Sequence, residues 1–460
     1  MTSVHQLPSG LRVVMEPIPH VRSVSFGILV QNGSRDESVS TNGISHFIEH
    51  LLFKGTEKRS AKDIADTMDA VGGQLNAFTS KEITGYMART LDTHFDVALD
   101  VLSDMLFNST FDEAGIEKER GVILEEINMY EDTPESVAMY LLEYNSFKNH
   151  PLGMTILGPP ENIKTFKRQD FIDFIGNRYR PHNTVIAIAG NINKAEVLEK
   201  VATAFSRFDN GRTSSPSGSA DSTARAAIKS ATGAAADSVS SIGSGAAADS
   251  ASGITSANPA LYQPSFTVRD KDIEQVHLCM GFPGIASSLD SEMYALACVN
   301  TVFGGGMSSR LFQTIREEHG LAYSVYSYNA SYKDTGVFTI YAGLGPAHIY
   351  DVLHLITGEI KRMFTDKITA DQLAKTREQI KSSFIMGLES AGNRMSSIGN
   401  SLLMMGRTVT PDEIIAKIDA VDLDAFYAMC ERIFKLDEMS LSLVGKQVEG
   451  MEKGSVLGKI

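Results

Sequence analysis

The sequence predicts an α+β fold with two duplicated domains, each a mainly antiparallel sheet packed with helices, joined by a disordered linker. Its 460 residues suit two domains of roughly 200 residues each. A stretch poor in large apolar side chains separates two halves, and the second half repeats a helical pattern of the first. The predicted divisions are a first domain at 1–208, a linker at 209–264, a second domain at 265–447 and a tail at 448–460.

Hydrophobic periodicity predicts the elements of the first domain. Val24, Phe26, Ile28 and Val30 alternate along one face of a strand. The other elements follow from the same alternation or from helical spacing. Strands are predicted at 11–15, 23–31, 74–80, 83–90 and 184–189, and helices at 61–70, 93–107, 112–131, 134–147 and 194–205.

The predicted linker has a composition of its own. From residue 210 to about residue 264 the chain is rich in Ser, Ala, Gly and Thr, and the hexapeptide 233–238 recurs at 245–250. Such a segment cannot bury enough apolar surface to offset the entropy lost on ordering, so we expect disorder.

A candidate metal motif lies at His46-x-x-Glu49-His50. On a helix, residues four apart are neighbours, so both imidazoles can bind one Zn²⁺ while Glu49 polarises a water. This spacing is the inverted form of the H-E-x-x-H helix of zinc proteases. A single histidine could equally be a core or surface residue. The complete set of His46, Glu49, His50, Glu119 and Glu126 favours a metal site.

The helix that carries this motif has predicted ends. Ser40, Thr41 or Asn42 can cap its N-terminus, and Gly55 can end it. A catalytic zinc takes three protein ligands and leaves one position open. Glu126, in a stretch with helical spacing, is the best candidate for the third.

Glu119 lies two helical turns before Glu126 on the same face, so it can orient a ligand or a water molecule. Residues 111–127 align with 368–384, with Arg120 facing Arg377. This register puts Thr376 at the place of Glu119 and Ser383 at that of Glu126. The segment 295–299, which corresponds to the metal helix, has no histidine. We therefore expect the fold to be duplicated and the metal site not to be.

His46-x-x-Glu49-His50, followed by Glu126 within Glu-Arg-Gly-Val-Ile-Leu-Glu-Glu, resembles the inverzincin metallopeptidases, the family of pitrilysin, insulysin and the mitochondrial processing peptidase. The chain is most similar to the half-length bacterial members, which look like the catalytic processing-peptidase subunit. The resemblance implies zinc bound by His46, His50 and Glu126. It also implies that Glu49 takes a proton from water and passes it to the leaving amine.

The family places the strand that carries Asn76, Ala77 and Phe78 at the cleft, where a peptide can add to its edge. The alternative is an ordinary hairpin. The resemblance also assigns Arg316 and Tyr323 to an Arg/Tyr pair that can donate to the oxyanion formed at the scissile carbonyl or hold the adjacent backbone. The alternative is an interdomain salt bridge and a core tyrosine.

In half-length relatives this pair reaches the zinc site of the other subunit. The resemblance therefore implies a homodimer, with a heterodimer as the alternative. Processing peptidases that favour arginine carry acidic residues ten and fourteen positions after the third ligand. In this chain those two positions hold Ser136 and Tyr140, and Asp132 and Glu135 are nearby acidic residues that could substitute.

Composition excludes other classes of protein. The net charge of −14 argues against binding of nucleic acid, which requires a basic face. Cys279, Cys298 and Cys430 lie in apolar surroundings, so we expect reduced, buried thiols. No apolar run is long enough to span a bilayer and no secretion signal is evident, so we expect no membrane partner and a cytoplasmic location.

The sequence thus predicts a zinc-dependent endopeptidase that cleaves unfolded or extended peptides inside a dimeric clamshell chamber. The alternatives are a non-catalytic assembly subunit and a peptide-binding partner of a heterodimeric peptidase.

Overall fold

The computed structural model describes residues 2–208, 259–288, 290–452 and 454. Most of the predicted linker, at 209–258, and most of the predicted tail lie outside these residues. The first half contains β1 (Ser3–Gln6), β2 (Arg12–Pro17), β3 (Ser23–Val30), α1 (Ile44–Leu52), α2 (Ala61–Asp69), β4 (Gln74–Thr79), β5 (Thr84–Leu91), α3 (Phe95–Asn108), α4 (Glu113–Glu131), α5 (Pro134–Ser146), α6 (Pro160–Thr165), α7 (Arg168–Arg178), β6 (Thr184–Gly190) and α8 (Lys194–Ala204). Each predicted element ends within two residues of an observed one, whereas β1, α6 and α7 were not predicted.

The second half follows the same plan. It contains β7 (Phe266–Asp270), β8 (Val276–Pro283), α9 (Asp290–Phe303), the π-helical segment Phe312–Glu318, β9 (Ala322–Ser331), β10 (Gly336–Leu344), α10 (Ile349–Thr365), α11 (Ala370–Gly387), α12 (Ala391–Met405), α13 (Pro411–Asp419), α14 (Leu423–Ile433) and β11 (Ser440–Gly445). Residues 259–264, which the sequence assigns to the linker, include Ala260, which is buried among Phe147, Leu152 and Val337.

Apart from the additional edge strand β1, the two sheets have the same strand order. The first runs β1-β2-β6-β3-β5-β4, and the second runs β7-β11-β8-β10-β9. In each, the pair β2/β6 or β7/β11 is parallel and the other neighbours are antiparallel. The predicted α+β fold, with duplicated, mainly antiparallel sheets, is confirmed.

Two arginines support the predicted register between the halves. Arg120 on α4 donates to the carbonyl of Phe166, just after α6, at 2.8 Å. Arg377 on α11 donates to the carbonyl of Asp419, at the end of α13, at 2.7 Å. Each guanidinium thus satisfies carbonyl groups that a helix C-terminus leaves unpaired. The equivalent contacts place α11 at the position of α4.

One helix from each half packs against the sheet of the other half. Val137, Ala138 and Leu142 of α5 are buried against the second sheet, while Met395 and Ile398 of α12 are buried against the first. The alternating apolar face of β3 packs in the core of its own half, and the opposite face is covered by α12. The two halves therefore share buried apolar surface and are not separate domains without contacts.

Glycine permits these close crossings. A Cβ atom on Gly281 of β8 would lie 2.9 Å from Cδ2 of Leu142 on α5.

The three cysteines, Cys279, Cys298 and Cys430, are free and buried, as predicted. Across the described ranges, no helix is both long and apolar enough to cross a membrane.

A second link between the halves joins two hairpin turns. Arg35 is 8% exposed and donates from Nη1 to Glu82, in the β4–β5 turn, and from Nη2 to Asp334, in the β9–β10 turn, each at 2.6 Å. The backbone N–H of Lys333 also donates to Glu82 at 3.0 Å. The guanidinium therefore neutralises one carboxylate from each half, and we name these three side chains the Arg35 bridge.

Replacing Arg35 with methionine should lower the free energy of unfolding by about 2–3 kcal/mol. Two carboxylates would be left facing each other, but the loss should be smaller than the ~3–5 kcal/mol of a fully buried pair because the side chain of Asp334 is 40% exposed. Urea unfolding followed by circular dichroism measures the change. The control is Arg22→Met, because Arg22 pairs with Asp92 but is 75% exposed, so its loss should stay within ~1 kcal/mol. Equal effects of the two substitutions would contradict this prediction.

Candidate active site

The predicted metal ligands converge where α1 packs against α4. Glu126 Oε2 lies 3.6 Å from His46 Nε2 and 3.7 Å from His50 Nε2. One ligand atom from each of the three residues lies within 4.8 Å of the others. Ligand atoms of a tetrahedral zinc site are about 3.3 Å apart, given zinc–ligand bonds of about 2.0–2.1 Å. The three side chains therefore fit a zinc ion with only small movements.

His46 is in the protonation state that a ligand requires. Burial, with a smaller contribution from the neighbouring His50, lowers the pKa of His46 to about 4. At neutral pH its ring is uncharged, so its contact with Glu126 is not an ion pair. An uncharged imidazole and a carboxylate are both suitable donors to zinc.

Glu49 stands beside this set without belonging to it. Thr79 Oγ1 donates to Glu49 Oε2 at 2.6 Å and so fixes the carboxylate. Burial raises the pKa of Glu49, while the Thr79 hydrogen bond and His50 oppose that rise. The side chain lines the same cavity as His46 and Glu126, so it is placed to accept a proton there.

Glu119 contacts a ligand residue and not the predicted metal position itself. Its side chain is 2% exposed, and its Oε2 lies 3.1 Å from His50 Nδ1. Lys54 Nζ lies 2.8 Å from its other oxygen, which balances the buried negative charge. A carboxylate on the second nitrogen of a histidine fixes the ring and its tautomer. The contact places Glu119 next to a candidate ligand, and its supporting role stays a prediction.

The N-terminus of α1 is held by a residue that the sequence analysis missed. The predicted cap at 40–42 is wrong, because the N-cap is Gly43, with a φ of 99° and no side-chain cap. The Glu37 carboxylate instead accepts from the backbone N–H groups of Gly43 and Ser45 at 2.8 Å each and from Asn42 Nδ2 at 2.9 Å. Burial raises the pKa of Glu37, and these hydrogen bonds oppose the rise. The only sequence signal for this role of Glu37 is an acidic residue six positions before Gly43.

A cavity of about 1610 Å³ between the two halves contains the site. Strand β4 borders it and is the last strand of its sheet, so among the described residues no strand pairs with its outer backbone edge. Phe78 and Thr79 of β4 line the cavity, whereas Asn76 and Ala77 lie further along the strand. Of the three predicted substrate-binding residues, Phe78 is thus the one at the cavity wall.

Arg316 and Tyr323 form a pair but lie away from this cavity. The Arg316 guanidinium carbon is 5.1 Å from the centre of the Tyr323 ring and 4.8 Å from that of Phe312. Tyr323 is 77% exposed, which excludes the alternative of a core tyrosine. The cavity is reached by the other end of β9, at Tyr328. Tyr323 and Tyr328 are five residue steps apart along the strand, a span of ~17 Å, so within one chain the pair lies outside the cavity that contains the candidate ligands.

Comparisons with known proteins agree across the chain. The family model described as Insulinase (Peptidase family M16) matches residues 12–160, and the one described as Peptidase M16 inactive domain matches residues 165–380. The uncharacterized zinc protease YmxG of Bacillus subtilis is 39% identical over 95% of this chain and 96% of its own. An uncharacterized zinc protease of Streptomyces coelicolor is 38% identical over 95% of this chain and 88% of its own.

Solved structures show the same fold. A protease from Helicobacter pylori, 20% identical, has a TM-score of 0.81 over 97% of this chain and 99% of its own. A peptidase M16 inactive domain from Pseudomonas fluorescens, 16% identical, has a TM-score of 0.81 over 98% of this chain and 100% of its own. The family models and the zinc-protease relatives confirm the resemblance that the metal motif indicated, and the chain belongs to peptidase family M16.

Proposed function

We propose that this protein is a zinc-dependent endopeptidase that hydrolyses unfolded or extended peptides in a chamber formed by two chains. The observation that carries the proposal is the convergence of His46, His50 and Glu126 at a cavity that is also lined by Glu49, a carboxylate outside the ligand set. A peptidase needs both an electrophile and a base at one point, and this arrangement supplies residues for each.

His46, His50 and Glu126 would hold the zinc ion. When bound, zinc polarises a peptide carbonyl and lowers the pKa of a water molecule to ~7. Glu119 fixes the His50 ring through Nδ1, and Glu37 anchors the start of the helix that carries both histidines. These two carboxylates support the geometry and do not contact substrate.

Glu49 is the proposed general base and acid. Its carboxylate takes a proton from the attacking water and passes it to the leaving amine. Partial burial raises its pKa towards the range in which one group can do both. The Thr79 hydroxyl holds one oxygen, which leaves the other to exchange the proton.

The free edge of β4 supports recognition of extended peptide. A peptide that pairs with this edge would be held through its backbone, largely regardless of its sequence. Phe78 and Thr79 would then lie next to the bound chain. Unfolded segments can adopt this geometry, whereas folded proteins cannot enter the cavity.

The position of Arg316 and Tyr323 supports a dimer. Tyr323 is exposed, and neither residue of the pair lines the cavity that contains the candidate ligands of its own chain, so a role at the metal site of a second chain is favoured. We therefore propose a homodimer in which each chain completes the site of the other, with a heterodimer as the alternative.

Glu135 and Asp132, the two acidic residues near the positions at which processing peptidases select arginine, both lie outside the cavity. Glu135 accepts from the Tyr326 hydroxyl at 2.6 Å, and the Asp132 side chain is 86% exposed. Neither lines the cavity. Glu135 and Asp132 therefore give no support to a preference for arginine.

Metal content, measured together with cleavage of a quenched random-peptide library, tests the proposed function. We expect about one zinc per chain, cleavage that a chelator abolishes, and recovery on addition of zinc. His46→Ala should lose metal and cleavage, whereas His20→Ala, at an exposed turn, should lose neither. Zinc and peptide binding without cleavage would instead support a peptide-binding partner. Absence of zinc, of peptide binding and of cleavage would support a non-catalytic assembly subunit.

A further inference from the structure

The three candidate metal ligands come from two helices. His46 and His50 share α1, so one helix fixes their relative position, whereas α4 supplies Glu126. The distance from Glu126 to the two histidines is therefore set by how α4 lies against α1. The contacts that hold α4 in place thus decide whether all three ligands can meet at one zinc ion.

The last turn of α4, residues 128–131, has little packing in its own half. Ile127 is partly buried against the core of the first half, but residues 128–130 are exposed. Arg120, which donates to the carbonyl of Phe166 at 2.8 Å, lies more than one turn before Glu126. The packing of the first half therefore holds α4 as far as Ile127 and leaves its last turn to other contacts.

Two cations of the second half hold this last turn. Lys271, directly after β7, donates from Nζ to the backbone carbonyl of Glu131, the last residue of α4, at 2.5 Å. Arg269 Nη2 lies 2.7 Å from Oε2 of the same residue. The final carbonyls of a helix have no partner within the helix and carry partial negative charge. Lys271 satisfies one of them with a positive charge, and its side chain is only 26% exposed, so water screens the contact only in part.

A tyrosine of the second half holds the helix that follows. The Tyr326 hydroxyl, on β9, donates to Glu135 Oε1 at 2.6 Å, and Glu135 lies in the first turn of α5. Burial raises the pKa of Tyr326 and Glu135 raises it further, so the hydroxyl keeps its proton and remains the donor. The junction of α4 and α5, residues 131–135, is thus held at both ends by side chains of the second half.

We propose that the second half positions Glu126 through this junction, with Lys271 and Tyr326 as positioning residues of the zinc site. The inference rests on the proposed zinc binding. Neither residue lines the metal cavity, so each acts on the ligand only through the helix. Glu126 and Glu131 are five residues apart, a rise of ~7.5 Å along α4, so a shift of the last turn displaces the ligand as well.

Zinc affinity measures this positioning and does not depend on cleavage. Full-length Lys271→Met and Tyr326→Phe proteins are titrated with zinc against a competing fluorescent chelator. Each should bind zinc about three- to tenfold more weakly, because groups that contact a ligand directly contribute ~10–100-fold and these two act one step further away. Tyr326→Phe keeps the ring that lies 5.0 Å from that of Tyr341 and removes only the hydroxyl. Lys271→Arg keeps the charge and should restore affinity to within about twofold.

Two controls separate positioning from loss of stability. Lys446→Met removes a cation that follows β11 and pairs with Asp272 and Glu274, both 93% exposed, and should leave zinc affinity unchanged. Phe426→Leu alters the core on the face of the second sheet opposite to α5. It should lower the urea midpoint without changing zinc affinity.

Unchanged zinc affinity in either variant would remove that residue from the assignment, and unchanged affinity in both would overturn the inference. An equal loss in Phe426→Leu would also overturn it, because the effect would then follow from stability. A wild-type chain that binds no zinc would contradict both this inference and the proposed function. Failure of the proposed function alone gives a different pattern: zinc binds with the expected losses in both variants, and the wild-type chain cleaves no peptide.

Discussion

Replacing Glu49 with glutamine should lower kcat for peptide cleavage by about 10²–10⁴ and leave zinc binding intact. The amide has nearly the same shape and can still accept the hydrogen bond from Thr79 Oγ1, which spans 2.6 Å in the wild-type protein. It cannot take a proton from water, so the chemical step loses its base. His46, His50 and Glu126 are unchanged, so the metal content measured by mass spectrometry should match that of the wild type.

A neighbouring carboxylate provides the control for this substitution. Glu125 precedes Glu126 on α4 but is exposed to solvent. Glu125→Gln makes the same chemical change and should keep kcat within about twofold, because surface substitutions away from special features have small effects. Cleavage at the wild-type rate by the Glu49→Gln protein would remove Glu49 from the mechanism. Loss of zinc from that protein would instead show that Glu49 helps to hold the metal.

The candidate metal site was accessible from sequence because its geometry is mostly local. His46 and His50 lie one turn apart on α1, so helical periodicity alone brings them together. Glu126 and Glu119 required one further step, the recognition that a second helix with glutamates two turns apart must pack on the first. The duplication of the domain could be predicted for the same reason, because the repeated helix pattern that contains Arg120 and Arg377 is a local sequence signal.

Other features depend on tertiary contacts that leave no periodic trace. Glu37 reaches the start of α1 from a loop with irregular backbone, so no fixed spacing marks it. The exchange of α5 and α12 between the sheets joins residues hundreds of positions apart, as do the contacts of the Arg35 bridge. The apolar pattern of each helix shows that one face is buried, but it does not say against which sheet.

The sequence also predicts a hairpin at β4 and β5 without settling its function. Alternating residues and the short turn at 80–83 define the pair. That β4 has a free edge follows from the order of the whole sheet, and that this edge borders the metal residues follows from the packing of α1. Asn76, Ala77 and Phe78 were singled out by resemblance, and their use as a peptide-binding strand stays a prediction.

Arg316→Ala and Tyr323→Phe should each lower kcat/KM by about 10²–10³ if the pair stabilises charge on the substrate. Tyr323→Phe preserves the ring that stacks 5.1 Å from the Arg316 guanidinium and removes only the hydroxyl, so a large effect would point to hydrogen bonding and not to packing. Zinc content should not change in either variant, since neither residue lines the metal cavity. Normal activity of both variants would exclude the pair from the reaction.

Coexpression of two inactive chains decides whether the pair acts in its own chain or in its partner. A dimer of one Glu49→Gln chain and one Arg316→Ala chain has one site with an intact base and, if the pair acts across the interface, an intact arginine from the other chain. Random pairing makes half of the dimers mixed, each with one working site of two, so about a quarter of wild-type activity should return. Coexpression of two differently tagged Glu49→Gln chains is the control and should recover none. If the pair acts within its own chain, every site in the mixed dimer lacks either the base or the arginine, and mixing restores nothing. The exposed position of Tyr323, outside the cavity of its own chain, favours recovery.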